Sequence, residues 1–279
     1  HETAAQLTRL FRWGETRDRW AAQLPDERSY RQFGLKKGGV RLRIDLDGEM
    51  ETLLRAFDHP ASLYAELDIP LADRKLTPAP SMGDALIAML WTAARVHDAL
   101  SFSTENFASS RLIYRQSKRG RVCNLPIIGP LKTRLPAMRL RAQAQRNRDD
   151  INDLIISETD GLSYARNSAK TGVPHHSLFN ERWRAYRALA GEIAPSLIGE
   201  GVDPLGEPCK AFNAQDCRDT AVSRLAMATE SIIEIAAWHG SDPEEIARLA
   251  KHYLAIRPEH ADRAGEKLTK MCAEMGIAV

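Results

Sequence analysis

Residues 213–258 read NAQDCRDTAVSRLAMATESIIEIAAWHGSDPEEIARLAKHYLAIRP, and they predict short helices that meet at a tight bend. Ser231 followed three residues later by Glu234 is a capping box, which marks a helix N-terminus. Gly240 is a natural residue just after a helix end. Pro243, preceded by an Asp, suits the first position of the next helix. The stretch therefore predicts a helix, a Gly-Ser bend and a second helix.

Two side chains stand out in this stretch. Arg218 opens an apolar helical segment, and Tyr253 lies near the end of the last helix. Taken alone, each has an ordinary structural role. Arg218 can pair with Asp216 or Asp219, and Tyr253 can lie at the rim of the core with its hydroxyl in water.

Composition is that of an ordinary globular protein. The chain has 279 residues, of which 43% are hydrophobic and 27% charged, and this predicts a large domain with a small appendage. The longest apolar run, residues 85–94, is about half of what a membrane helix needs. The four cysteines have no metal-site spacing, which predicts reduced, buried thiols in a cytoplasmic protein. We therefore expect no membrane span, no metal site and no cofactor.

Charge is distributed unevenly, although the formal net charge is only +2. Eleven Lys or Arg residues and no Asp or Glu occur between 111 and 148: Arg111, Arg115, Lys118, Arg119, Arg121, Lys132, Arg134, Arg139, Arg141, Arg146 and Arg148. Such a stretch predicts either a face for a polyanion or a solvated, arginine-rich helix face. From composition alone the two interpretations are equally good.

Two domains are predicted along the chain. Residues 1–24 have a helical pattern, and the Gly-rich basic segment 34–43 follows as a connector. We place a helical N-terminal piece and linker at 1–40 and the main domain at 41–279. Within the main domain, four prolines in 58–80 predict mostly loop.

The middle of the chain predicts a helix and a β-hairpin. Ser81 with Asp84 resembles a capping box at the start of a helix. Arg95 and Asp98 lie on one side of the C-terminal end of that helix. β-rich runs on either side of Lys118-Arg119-Gly120 then predict a hairpin.

Fewer signals follow the hairpin. Residues 131–148 are helical and basic, and 153–157 predict a short strand. Residues 157–210 are irregular apart from a helix at SLFNERWRAYRAL. His175 and His176 have no partner at ligand spacing and are interpreted as loop residues. The expected fold class is mainly α (α+β), with helices around a small antiparallel sheet or hairpin.

Four segments, in this order, resemble the catalytic domain of tyrosine recombinases, the phage-integrase family. They are LWTAARVHDALSF (90–102), IYRQSKRGRVCNLPI (113–127), QDCRDTAVSRL (215–225) and IAAWHGSDPEEIARLAKHYL (235–254). They match the first-arginine box, the lysine hairpin, the second-arginine box and the tyrosine segment of the family. The resemblance covers roughly residues 80–260, and its last two segments are the most specific.

The resemblance implies a role for each residue. Tyr253 would be the nucleophile that forms a 3′-phosphotyrosyl link. Arg95 and Arg218 would hold the phosphate, since guanidinium stays charged and binds phosphate with two hydrogen bonds. Lys118 would protonate the leaving 5′-oxygen, and Asp98 would orient an arginine. The hairpin arginines would contact DNA: Arg111, Arg115, Arg119 and Arg121.

Two positions depart from the family pattern. Gln215 stands where the second box carries His or Lys, and Ser241 stands where the third carries His or Trp. Gln does not shuttle a proton, although it donates a hydrogen bond to phosphate. His239 and Trp238 are close enough in sequence to substitute for the residue missing at 241. Loss of general acid–base groups costs about two to four orders of magnitude in rate.

Each assignment also has a plain structural alternative. Arg95 with Asp98 can be a helix-surface ion pair, and Lys118 can be a solvated turn lysine. Order and spacing taken together favour the catalytic interpretation over these alternatives.

We therefore expect a DNA recombinase or integrase that acts on double-stranded DNA as a homo-oligomer, a tetramer on two duplexes. Its expected location is the cytoplasm of a bacterium or phage host, at the nucleoid. Accessory DNA-bending proteins are candidate partners. The alternative from another class is a recombinase-derived DNA-binding or architectural protein, which Gln215 and Ser241 favour. A third hypothesis is an enzyme that resembles type IB topoisomerases and relaxes supercoils without site preference.

Overall fold

The computed structural model describes residues 45, 48–145, 152–166, 175–202, 208–229, 231–244, 246, 266 and 269. The chain divides into two units, His1–Arg41 and Leu42–Val279, and every described residue lies in the second. The predicted helix 1–24 and the connector 34–43 lie outside the described residues, and so does Tyr253. The predicted domain boundary at residue 40 stays a prediction.

Helices dominate the described residues, with one small sheet. The α-helices are α1 (Glu49–Asp58), α2 (Pro60–Glu66), α3 (Pro80–Thr92), α4 (Val96–Leu100), α5 (Gly129–Gln145), α6 (His175–Gly191), α7 (Asp216–Ala228) and α8 (Ile232–His239). Short 3-10 turns lie at Leu71–Asp73, Thr104–Asn106 and Pro195–Ile198. The strands are β1 (Phe107–Ala108), β2 (Arg111–Arg115) and β3 (Val122–Pro126). This confirms the predicted fold class.

Helix α3 is the centre of the core. Its residues 81–90 are buried on every side, as expected of a helix that is apolar around its whole circumference. Helices α1, α5 and α7 pack against it. The helix ends at Thr92, whose hydroxyl donates to the Ala88 carbonyl at 2.6 Å, and Ala93 then takes a left-handed conformation with φ 53°. The chain turns there and starts the short helix α4.

The sheet is antiparallel in the order β1-β2-β3, and Leu112 pairs with both Phe107 and Leu125. The predicted hairpin is confirmed, with Gly120 at φ 66° in its turn. Side chains alternate along β2, so that Leu112 and Tyr114 face the core and the arginines at 111 and 115 face outward. The sequence pattern did not predict β1, because two residues are too short for a periodicity.

Several local predictions were wrong. Ser81 and Asp84 do not form a capping box, because α3 begins at Pro80 with Ala79 at the N-cap position, and Ser81 already lies inside its first turn. The backbone N–H of Ser81 instead donates to the Glu158 carboxylate at 2.6 Å. Arg95 and Asp98 do not end that helix; Arg95 is the N-cap residue of α4, and Asp98 lies in the first turn of α4.

Further corrections concern loops and strands. Segment 58–80 contains helix α2, because Pro60 occupies a first-turn position, where its missing N–H costs nothing. Residues 153–157 contribute only isolated bridges, Ser103 to Asp153 and Ile156 to Ser163, and no strand. His175 and His176 are not in a loop, because helix α6 begins at His175.

Candidate active site

Helix α7 presents Arg218 from its first turn. The preceding loop is held by α6, where Arg187 donates to the Phe212 carbonyl at 2.9 Å and to Asn213 Oδ1 at 2.7 Å. Asp216 Oδ2 accepts from the Asn213 backbone N–H at 2.7 Å and fixes the start of the helix. Arg218 therefore projects from a well-anchored helix end rather than from a free loop.

Arg218 is a half-buried cation close to a second cation. Burial, and after it the charge of Arg95, lowers the pKa of Arg218 to about 10. Its Nη1 is buried and has no hydrogen-bond partner within the part of the chain that the structure describes. A buried guanidinium N–H without an acceptor is costly, and a neighbouring positive charge adds to the cost. An anionic oxygen is the acceptor that relieves both.

His239 is the partner of Arg218. Its ring Nε2 lies 2.9 Å from Arg218 Nε and 2.6 Å from Nη2, and its Nδ1 lies 2.6 Å from Ser241 Oγ. Arginine only donates, so Nε2 must be the acceptor and the ring proton must be on Nδ1, which donates to the serine hydroxyl. The sequence alternative that paired Arg218 with Asp216 or Asp219 is replaced by this histidine contact.

His239 is neutral in this setting. Burial first, and then the charges of Arg218 and Arg95, lower its pKa to about 3. The ring is therefore an acceptor toward Arg218 and has no proton on that side near neutral pH. It cannot act as a general acid in this orientation.

Arg95 lies in the turn between α3 and α4. Its Nη1 is 3.8 Å from Asp98 Oδ2, an ion pair three residues apart. Asp98 is 2% exposed, and its Oδ1 accepts from the Ser117 backbone N–H at 2.9 Å. The carboxylate thus ties the arginine turn to the base of the hairpin.

Gln116 connects Arg95 to the bend after α8, and the sequence analysis did not identify it. It follows β2 in the inward-facing register of Leu112 and Tyr114 and is 1% exposed. Its Oε1 accepts from Arg95 Nη1 at 3.3 Å, and its Nε2 donates to the His239 carbonyl at 2.7 Å. A polar side chain in the core-facing register of a strand was the signal available in the sequence.

The bend after α8 packs tightly against the hairpin. Gly240 ends α8 with φ 65°, as the sequence predicted, and Ser231 caps its start by accepting from the Glu234 N–H at 3.3 Å. A Cβ on Gly240 would lie 2.6 Å from Gln116 Nε2 and closer still to Cys123 Sγ. Residues 243, 244 and 246 are again helical, as expected for the next helix.

Lys118 lies at the exposed tip of the hairpin. The base of the loop is closed by hydrogen bonds from the Gln116 N–H to the Arg121 carbonyl at 2.8 Å and from the Gly120 N–H to the Gln116 carbonyl at 2.9 Å. Gln215, one turn before Arg218, is exposed at the N-cap position and makes no capping hydrogen bond. Tyr253 lies outside the described residues, so its predicted role stays a prediction.

The hairpin carries exposed and half-exposed arginines with local partners. Arg111 bonds to Asn124, Arg115 to the Gly120 carbonyl, and Arg121 forms an ion pair with Asp242. Arg119 is close enough to lower the pKa of His239. These arginines lie on the outer face of the sheet and its turn.

Two of the basic residues counted on the predicted polyanion face point inward instead. Arg134 bonds to Asp84 at 2.8 Å and to Asp58 at 2.7 Å, and Arg141 also binds Asp84. Burial raises the pKa of Asp84 even though two arginines oppose that effect. These two arginines therefore hold α5 against α1 and α3, and they do not belong to a DNA-binding surface.

Comparison with solved structures identifies the fold. A lambda integrase fragment crystallised as a dimer bound to a COC′ core site superposes with a TM-score of 0.57 at 12% identity, covering 91% of this chain and 73% of that one. A lambda integrase dimer on the same site gives 0.54 at 14% identity, covering 91% and 59%, and a tetramer bound to a Holliday junction gives 0.51 at 14%, covering 86% and 57%. No protein-family model and no curated protein matches the sequence.

The protein therefore has the fold of the tyrosine-recombinase catalytic domain. Among the described residues, no group of three or more His, Cys, Asp or Glu is arranged to hold a metal ion. No described helix is long and apolar enough to cross a membrane.

Proposed function

We propose that the chain is a DNA strand transferase of the recombinase or integrase type. Two observations on Arg218 carry the proposal. The charge of Arg95 is close enough to lower the pKa of Arg218, and the buried Nη1 of Arg218 has no acceptor among the described residues. Non-bridging phosphate oxygens are acceptors suited to adjacent guanidinium groups. The fold shared with lambda integrase supports DNA as the source of that phosphate.

The proposed reaction needs no metal. The Tyr253 phenol loses its proton to water and its oxygen bonds to phosphorus. The bond between phosphorus and the 5′-oxygen breaks with its electron pair on that oxygen, which the Lys118 ammonium group protonates. The two arginines stabilise the negative charge on the phosphate oxygens during this exchange. The phosphotyrosyl link retains the bond for rejoining with another 5′-hydroxyl.

Assembly and location follow from the same proposal. One similar lambda integrase structure is a dimer on a core site and another is a tetramer on a Holliday junction. We infer a homo-oligomer, a tetramer on two duplexes, with residues 1–40 as a separate N-terminal piece. The same reasoning gives a nucleoid-associated protein in the cytoplasm of a bacterium or phage host.

A covalent-trapping assay tests the proposal. DNA from the ends of the genetic element that encodes the chain is nicked so that the product strand escapes, incubated with the protein, and run on a denaturing gel. We expect a shifted band with the wild type and none with Tyr253→Phe. An identical band with Tyr253→Phe would assign the adduct to another nucleophile and refute the proposed role of Tyr253.

A second candidate is a DNA-binding or architectural protein that no longer cuts. It is favoured by Gln215, Ser241 and the neutral His239, none of which supplies a proton to the leaving group. Its signature is salt-sensitive binding to the same DNA without any adduct. The trapping assay and a filter-binding assay on one preparation therefore separate the two functions.

A further inference from the structure

We propose that Gln116 and His239 are positioning residues that hold Arg95 and Arg218 as one unit. The resemblance to tyrosine recombinases implies no bracing role for either residue, and both are buried, Gln116 at 1% and His239 at 4% exposure. The effect on strand cleavage rests on the proposed function, whereas the brace itself is tested without DNA.

The side-chain amide of Gln116 forms hydrogen bonds with both Arg95 and the bend after α8. Oε1 accepts from Arg95 Nη1 at 3.3 Å, and Nε2 donates to the His239 carbonyl at 2.7 Å. An ionised carboxylate accepts but does not donate, and a hydrocarbon does neither. An amide therefore meets both requirements at this buried position.

His239 fixes the plane of Arg218. Two N–H groups of one guanidinium, Nε and Nη2, converge on its Nε2 at 2.9 and 2.6 Å. Because the guanidinium is planar, fixing these two groups also fixes the direction of Nη1, the buried donor without a described acceptor. Because Arg218 only donates, the ring proton is on Nδ1, and the Ser241 hydroxyl accepts it at 2.6 Å.

The two contacts belong to one connected arrangement. The bond from Gln116 to the His239 carbonyl joins residues 123 positions apart in sequence. Gly240 lies directly against Gln116, so a shift of the bend moves both supports together. We expect the effects of changing the two residues to be coupled rather than independent.

The kinetic test uses Gln116→Met and His239→Leu, which remove the hydrogen bonds at similar volume. The cleavage rate at saturating DNA should fall about 10- to 100-fold, since small misplacements of catalytic groups cost this much. DNA affinity should change less than about threefold, because the exposed arginines dominate binding. The cleavage rate of the double variant should lie within about threefold of the rate of the slower single variant.

Three controls make this test specific. His239→Gln keeps an acceptor for Arg218 and should recover at least about tenfold of the rate lost in His239→Leu. Gln116→Glu keeps the shape but replaces the Nε2 donor, and should behave like Gln116→Met. His59→Gln changes an exposed histidine between α1 and α2 that takes part in none of these contacts, and should leave the rate unchanged. Additive effects, or losses confined to DNA affinity, would overturn the brace.

An NMR measurement tests the brace independently of cleavage. In protein labelled with nitrogen-15 at histidine, the ring of His239 should carry its proton on Nδ1 between pH 6 and pH 8 and show an unprotonated Nε2. The assignment comes from the signal lost in His239→Gln. A proton on Nε2, or a charged ring, would contradict the contact with Arg218 whether or not the protein cuts DNA. A missing adduct with the expected tautomer would instead count against the proposed function alone.

Discussion

Arg218 combines partial burial, a neighbouring cation and a neutral partner. Two of its three nitrogens bind His239, and the third is directed away from that ring without an acceptor among the described residues. Lysine in its place would keep the charge but lose the planar, two-point geometry. The position therefore requires a guanidinium.

We predict that Arg218→Lys lowers the rate of covalent adduct formation by about 10²- to 10³-fold, the usual cost of removing one transition-state donor. Denaturing gels with the nicked substrate measure this rate. Arg224→Lys is the matched control, because Arg224 lies on the same helix but pairs with Asp45 and is 46% exposed. Equal losses in both variants would indicate general damage to α7 and remove Arg218 from the site.

The pH dependence of stability provides a second test at residue scale. His239 has a folded pKa of about 3, below its usual 6.5, so the unfolded chain binds more protons between these values. The contribution of neutral His239 to the stability of the fold is complete above pH 6.5 and is lost as the pH falls toward 3. Between pH 7.5 and pH 4.5, the free energy of unfolding of the wild type should fall by about 2 kcal/mol more than that of His239→Gln. Urea unfolding at both pH values measures the difference, and parallel profiles would mean that the ring is not buried as a neutral group.

At the scale of elements, the hairpin and the α8 bend form one packed unit. Their contact depends on the small residue at 240 and on the buried Cys123 and Gln116 beneath it. The positive φ of Gly240 and the lack of space at its Cα are two separate reasons for glycine. A pair of glycine variants distinguishes them.

Gly240→Ala should lower the free energy of unfolding by about 2 to 4 kcal/mol, combining the cost of positive φ with overpacking. Gly48→Ala is the control, since Gly48 has φ 79° but open space around its Cα, and should cost only about 1 kcal/mol. Urea unfolding gives both values. If the two variants cost the same, the contact with Cys123 and Gln116 is not tight.

Helix α5 separates structural from surface arginines. Arg134 bonds to the buried Asp84 and to Asp58, whereas Arg139 is exposed on the same helix. Arg134→Met should lower the free energy of unfolding by about 3 kcal/mol, because it leaves the buried Asp84 and the half-buried Asp58 short of a partner. Arg139→Gln should change stability by less than about 0.5 kcal/mol while weakening DNA binding. Thermal unfolding and filter binding measure the two effects, and the reverse pattern would refute the assignment.

At the scale of the whole molecule, the sequence predicted more of the fold than of the site. The order of Arg95, the hairpin and Arg218 identified the fold, because each lies in a local motif. The position of Gly240 just after a helix was predictable for the same reason, since neighbouring residues determine where a helix ends.

The missed features depend on distant contacts. His239 was a candidate from the sequence, as a substitute for the residue missing at 241, but its contact with Arg218 depends on how α8 packs against α7. Gln116 gains its role only because the bend lies against the hairpin. Arg134 and Arg141 looked like surface charges until Asp84, which lies in a helix buried on all sides, proved to be their partner. No local pattern contains that information.

Electrostatics gives a prediction for the whole molecule on DNA. The exposed hairpin arginines should contact phosphates, so binding should weaken linearly with the logarithm of salt concentration. Replacing Arg115 and Arg119 by Gln should reduce that slope by about 2. Arg55→Gln, on α1 and paired with Glu66, should leave the slope unchanged. Fluorescence anisotropy over a salt series measures it, and an unchanged slope in the hairpin variant would place the DNA elsewhere.

The contact between Gly240 and Cys123 also constrains how this protein changes over generations. A side chain at 240 has no room until the residue at 123 becomes smaller or the amide at 116 moves. Substitutions at these positions are therefore tolerated in one order only, with the space opened before it is filled. A lineage that loses the glycine must carry an earlier change at 123 or 116, and the three positions should be inherited together.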